Sequence, residues 1–337
     1  MNLDKNKLKV YNDIRADAKN RGKSVEFVSY SKVEKYSKCK QGYKLQYLDK
    51  LKVDYAENIY ADLGTVSGDI LNWASTEGWS KEKIKESFRN KAKDICTKHG
   101  LTTNIPLMRS MINFFDTSHY MTDLYNRGVK LEFEVPVYKK LNYTQEGYVD
   151  KEFWIVGFID MVIHNEDGTI SIVDFKTSNV SGYTGKKLEQ NLVQIYSYAY
   201  LYESMYRKKV KDVGYHFLKY CNIYCVDSNG KKRKRSKVER KDIDGVCYEL
   251  DFKSNLEIED CLNVFEYNKD NRLTYMGIFM KNFLDSQKDE EFCAKDRDKH
   301  YCKNFCTFRE GICLYEDPIE KEPNPMEVMA DILNGRL

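Results

Sequence analysis

Polar and apolar positions change rhythm along this chain, and the clearest rhythm lies in its middle. The segment 130–138, KLEFEVPVY, alternates apolar and polar residues with period two, as a strand with one covered face does. The segment 152–164, EFWIVGFIDMVIH, is strongly apolar and reads as a second strand. After the turn sequence NEDG, residues 169–178, TISIVDFKTS, form a third strand-like run. The short turn pairs the second and third runs, and with the first they predict an antiparallel meander.

Helical spacing dominates elsewhere. Residues 3–20 place Leu8, Tyr11 and Ile14 on one helix face, and Ser29 and Ser31 are candidate N-caps for the stretch that follows. Residues 60–130 read as mainly helical and polar, and residues 187–206 as a helix with buried aromatics. Residues 213–226 and 246–252 read as strands flanking a basic connector, and 256–284 as a helix. The segment 290–315 is rich in cysteine, and 316–337 reads as a linker with a short tail helix.

Composition adds two exclusions. No run of about 18 apolar residues occurs, so no membrane-spanning helix is expected. The charged N-terminus has no apolar signal region, so a cytoplasmic, reducing setting is expected, and the low-Pro, Lys- and Tyr-rich composition suits a bacterial or phage-infected cell. There, ten cysteines are expected to be free or metal-bound rather than disulfide-linked. A net charge of +3 leaves any nucleic-acid argument to local charge.

The chemistry concentrates in the meander. Asp174 and Lys176 share parity on the third strand and project to one face. Counting back through the turn sets Asp160 opposite roughly residue 173, so two carboxylates and an ammonium can converge. Carboxylates suit a hard divalent cation, Mg2+ or Mn2+. Such an ion can activate water and neutralise charge on a phosphate, and a lysine can assist. An Asp-x-Lys triplet alone is better explained by an exposed ion pair. At the end of so apolar a hairpin, however, three charges are costly unless they serve something. Glu132 and Glu134 share parity on the preceding strand and read equally well as solvated strand charges.

The stretch GFID…IVDFKTS resembles the core motif of the PD-(D/E)XK nucleases, and NLVQIYSYAYLY resembles the Q-x-x-x-Y helix of their RecB-like branch. The resemblance implies an α/β restriction-endonuclease-like fold, with a mixed sheet flanked by helices, a helical insertion and a cysteine-rich cap. It implies metal binding by Asp160 and Asp174, catalysis by Lys176 with Glu134, and support and DNA contact from Gln194 and Tyr198. It also implies one nuclease domain over 1–315: a motif helix at 27–50, a helical region at 55–130, the core at 130–252 and a helical cap at 255–315. Residues 316–337 would follow as a tail. The chain departs from the family where a histidine and a glutamate are usual on an early helix: Gly68 and Asn72 stand there, after a matching Gly64.

Cys302, Cys306 and Cys313, with Cys39 far upstream, are similar to the four thiolates that hold a [4Fe–4S] cluster in RecB-like nucleases. Zinc is the alternative, with Cys293 and His300 as spare ligands. The connector carries Lys231, Lys232, Arg233, Lys234 and Arg235, which can neutralise phosphates or form a solvated hairpin tip.

The expected function is a metal-dependent DNA nuclease, an exonuclease or flap-processing enzyme acting on single strands or duplex ends. It would serve recombination, repair, phage replication or CRISPR adaptation. No phosphate-binding helicase loop occurs, so a helicase or recombination partner would be another chain. Two other readings stand beside it: a non-catalytic DNA-binding scaffold and a zinc-dependent interaction module.

Overall fold

Apolar strand sequences in the middle of the chain assemble into one mixed sheet, and helices cover it. In the computed structural model the described residues are 3–51, 59–78, 127–143, 150–176, 183–217, 221–226, 232–234, 247–252 and 262–289, with single positions between 80 and 94 and between 292 and 313. The helices are α1 (Leu3–Asn20), α2 (Tyr30–Lys38), α3 (Lys40–Tyr43, continued by a π turn Lys44–Leu48), α4 (Ile59–Glu77), α5 (Gly185–Tyr206) and α6 (Lys269–Lys288). The strands are β1 (Ser24–Val28), β2 (Leu131–Lys140), β3 (Lys151–His164), β4 (Ile170–Lys176), β5 (Val210–Phe217), β6 (Cys221–Val226), β7 (Lys232–Lys234), β8 (Cys247–Phe252) and β9 (Leu262–Glu266). The chain divides into two compact units: Met1–Tyr30 with Glu57–Leu284, and Ser31–Ala56 with Asp285–Leu337.

In the first unit, β2, β3 and β4 form the expected antiparallel meander. Helix α5 then crosses over to β5, which lies parallel to β4, and β9 closes the far edge antiparallel to β5. The long strand β3 organises everything. Its residues Trp154 and Ile155 pair with β2 on one edge and with β1 on the other, and Met161–Ile163 pair with β2 and β4. One edge of β3 is therefore shared, with β1 along its first part and β4 along its last. Between them, residues 156–160 have no partner on that edge among the described strands. The core fills both faces with Phe153, Ile155, Ile159, Met161, Ile172, Val213 and Phe217.

Helix α5 has Leu192, Ile195, Tyr196, Ala199, Leu201 and Tyr202 buried, which leaves little of it for solvent. It ends where Arg207 turns left-handed at φ 57°. Helix α1 packs on β1 through Tyr11, whose ring meets Phe27 edge-on at 4.7 Å.

The structure corrects three expectations from the sequence. The run 213–226 is two strands, with β5 in the main sheet and β6 in a separate three-stranded sheet with β7 and β8. The run 256–284 is not helical throughout: β9 occupies 262–266, and α6 starts only after Asn268, whose side chain accepts the Asn271 N–H at 2.9 Å as a cap does. Part of the basic connector is strand, since Lys232–Lys234 is β7. Its Lys231 and Arg235, the segment 101–126 and the tail 316–337 lie outside the described residues.

Candidate active site

Strand register lines up three acids. Phe133 faces Met161 and Val135 faces Ile159, which sets Glu134 abreast of Asp160. Met161 faces Val173, which sets Asp160 abreast of Asp174, one residue from the expected position. Asp160 is the last residue of the unpaired stretch of β3. Its Oδ2 accepts the Phe175 backbone N–H at 2.8 Å, so the carboxylate satisfies a donor that the ladder leaves behind. The acid thus sits in the notch where β1 and β4 part.

Lys176 completes the group. Its Nζ lies 2.7 Å from Asp174 Oδ2 and 3.4 Å from Gln194 Oε1, with both charged side chains nearly buried. The same ammonium stands 5.4 Å from the centre of the Tyr215 ring, and Tyr215 is the β5 neighbour of Asp174. Gln194 shares a hydrogen bond with Tyr198 one turn further along α5. Tyr198 lies against the sheet at Gly157, where a Cβ would come 2.4 Å from its ring. Glycine is what lets the phenol reach the site.

The electrostatics are out of balance. Burial pushes the Asp160 carboxyl far above its usual range, Asp174 pushes it further, and the Phe175 N–H and Lys176 oppose them. Burial acts to lower the Lys176 ammonium, but Asp174 and Tyr183 overcome it and hold the amine protonated. Burial likewise raises the Tyr198 phenol. Asp174 Oδ2 is buried and has no hydrogen-bond partner beyond its ion pair with Lys176.

Two close carboxylates with one ammonium leave negative charge unmet. A hard divalent ion with oxygen ligands fits that deficit, because Mg2+ needs only one or two protein carboxylates, water and phosphate oxygens supplying the rest. Among the described residues no three His, Cys, Asp or Glu side chains group to hold an ion, so Asp160 and Asp174 would be the protein's share.

The other candidates fall into distinct places. Glu134 adopts φ 50°, rare for a residue with a side chain, and its carboxylate pairs with Lys7 of α1 at 2.8 Å. Glu132 is engaged elsewhere, by Lys130 at 2.8 Å and His164 at 3.0 Å. Burial raises its carboxyl, but those two partners bring it below the ordinary value. On α4, a Cβ at Gly68 would meet nothing within 4 Å, so that position supplies open space in place of a side chain. Lys7, Tyr183 and Tyr215 escaped sequence reasoning. The apolar run VGYHF after a helix was the usable signal for Tyr215, since a strand–helix–strand passage predicts a parallel neighbour.

In the second unit Cys39, Cys302, Cys306 and Cys313 are free thiols. Cys39 caps α3, its Sγ accepting the Gly42 N–H at 3.3 Å. Burial raises this thiol, the Gly42 contact opposes that, and Cys306 and Cys313 raise it further, so the three lie within electrostatic reach. Among the described residues they are not gathered as a ligand set, and Cys293 and His300 lie outside those residues.

A mixed sheet that presents two acids and a lysine from neighbouring strands defines a class of phosphodiester-cleaving folds. Residues 28–313 match the family described as the PD-(D/E)XK nuclease superfamily, and the chain belongs to that superfamily. Nuclease activity follows in general terms, and members generally use Mg2+ or Mn2+. A solved structure described as the crystal structure of SSO0001 is similar at 13% identity over 82% of this chain and 91% of that one, with a TM-score of 0.31. No curated protein matches the chain. Among the described residues no helix is long and apolar enough to cross a membrane.

Proposed function

We propose that this chain is a metal-dependent deoxyribonuclease of the RecB-like branch, an exonuclease or flap-processing enzyme acting on DNA ends or single strands. The observation that carries the proposal is the convergence of Asp160, buried Asp174 and Lys176, with the lysine steadied by Gln194. Asp160 and Asp174 would hold the Mg2+ or Mn2+ ion, which supplies Lewis acidity and an activated water. Lys176, kept protonated by Asp174, meets the charge that builds on the phosphate. Gln194 fixes the direction of the ammonium, and Tyr198 holds Gln194. Glu134, abreast of Asp160, lies within its field and is the third acid of the site. The strand Lys232–Lys234 and its flanking Lys231 and Arg235 are the proposed backbone contacts for DNA. Domain extent is proposed as 1–315, with the four cysteines as an iron–sulfur or zinc staple; its support is the electrostatic reach of Cys306 and Cys313 on Cys39.

The test is degradation of end-labelled single- and double-stranded DNA with Mg2+ or Mn2+, comparing wild type with Lys176→Ala. Metal-dependent cleavage that the variant loses supports the proposal. A wild type that binds DNA without cutting it sinks the enzyme reading and leaves a scaffold on a nuclease fold, as the bare Gly68 position would favour. Absorbance near 400 nm with bound iron and sulfide separates a cluster from colourless zinc.

A further inference from the structure

Lys176 is enclosed on three sides. Its ammonium meets Asp174 Oδ2 at 2.7 Å, Gln194 Oε1 at 3.4 Å and the face of Tyr215, whose ring centre lies 5.4 Å away. Parallel pairing of β4 with β5 sets Tyr215 beside Asp174 and Phe217 beside Lys176, so all four side chains share one face of the sheet. The Tyr215 ring is firmly packed. It is wholly buried, with ring centres of Tyr183 at 5.8 Å, Phe217 at 6.2 Å and Phe265 at 6.3 Å. Its hydroxyl is buried and finds no hydrogen-bond partner among the described residues, so the ring is what this residue offers the site.

We infer that Tyr215 is a positioning residue: its ring is the seat that keeps the Lys176 ammonium in place when Asp174 turns its charge to a metal ion. The inference rests on the nuclease reading for that ion and for the work of the lysine. An ammonium held by Asp174 alone would be set loose, because a divalent cation competes for the same negative charge. Gln194 and Tyr215 are neutral and keep their hold. The Gln194 contact is a single long hydrogen bond, which fixes direction more than it binds. An aromatic face attracts a cation through its quadrupole, and more strongly where water is kept away, as it is around a lysine side chain only 16% exposed. The two kinds of partner also leave the lysine in different states. A carboxylate cancels the ammonium charge, whereas a ring holds the ammonium and leaves its charge for the phosphate.

The experiment compares wild type, Tyr215→Leu and Tyr215→Phe in cleavage of end-labelled DNA, with Mg2+ binding measured by calorimetry. Tyr215→Leu is expected to lower kcat by about 5- to 30-fold, the range for loss of one desolvated cation–ring contact, with KM and Mg2+ affinity held within about twofold. Tyr215→Phe, which keeps the ring and drops the hydroxyl, is expected to restore most of the loss. A Phe variant as slow as the Leu variant overturns the inference, because the hydroxyl would then be the working part. So does a fall in Mg2+ affinity as large as the fall in kcat, which would make the ring a support for the acids. A second readout needs no change at Tyr215. With lysine ε-carbons labelled with 13C, the Lys176 signal, identified by its loss in Lys176→Ala, is expected upfield of the other lysines through the ring current and is expected to stay there in Mg2+. Its return to the ordinary lysine position in Mg2+ overturns the seat. A wild type that cuts no DNA but keeps the upfield signal in Mg2+ removes the nuclease reading and still supports the seat.

Discussion

Strand β3 carries two acids in opposite circumstances, Glu152 buried and Asp160 partly buried. Glu152, near its start, is surrounded by donors: Lys140 lies 2.6 Å and Arg21 2.9 Å from its carboxylate, and the Trp154 indole donates at 3.1 Å. Burial pushes this carboxyl up, but those hydrogen bonds outweigh it and hold it at about 2. Asp160, eight residues on, has one backbone donor, a neighbouring carboxylate and an ammonium already paired with Asp174. Its carboxyl is driven up instead. The contrast separates two uses of a buried charge. A charge supplied with every partner it can use ties elements together; a charge left short of partners is a place for something the fold itself does not provide.

The sharpest way to test that division is to remove the cation at the second acid. Lys176→Ala should lower DNA cleavage by about 100- to 1,000-fold, the usual cost of losing one group that meets transition-state charge, with a cooperative unfolding transition retained at a lower melting temperature. A loss of cleavage matched by a loss of folded protein would show that the lysine is structural. Next in size is Glu152→Gln, which leaves Arg21 and Lys140 without their shared anion. It should cost about 1–3 kcal/mol in denaturant unfolding and leave the cleavage rate of the folded fraction unchanged.

The two acids should also respond to pH in opposite directions. Because the folded carboxyl of Glu152 lies below its ordinary value of 4.5, its stabilisation is complete above that pH and fades as pH falls toward 2. Wild type should lose stability there faster than Glu152→Gln. Asp160 has its folded carboxyl raised, so its ionisation destabilises the metal-free protein as pH rises from the ordinary aspartate range. Asp160→Asn should therefore raise the melting temperature of metal-free protein by about 2–4 °C at neutral pH, and added Mg2+ should stabilise wild type but not the variant. An Asp160→Asn protein that melts lower than wild type would break the comparison.

Much of this site is legible in the sequence, and its limits are physical. Alternation in KLEFEVPVY and the run around IVDFK located β2 and β4, and parity joined Asp174 to Lys176, because both depend only on local geometry. Asp160 was placed one residue away because the turn sets the register, and NEDG fits more than one turn. Lys7 and Tyr215 could not be found in this way: each meets the site through a pairing between distant parts of the chain. The division of 213–226 into β5 and β6 was hidden for the same reason, since both halves are strand-like and only their sheets differ.

The shared edge of β3 also sets a timetable. Lys23, just before β1, meets Asp150, just before β3, across 127 residues of chain. At roughly 5–20 residues per second, about 6–25 s of synthesis separate the two, so Phe27 must wait for Trp154. Until then β1 lacks the strand with which it pairs, and closing so long a loop is slow. Nascent chains halted before residue 150 should be protease-sensitive at β1, and those that extend past β3 should be protected there.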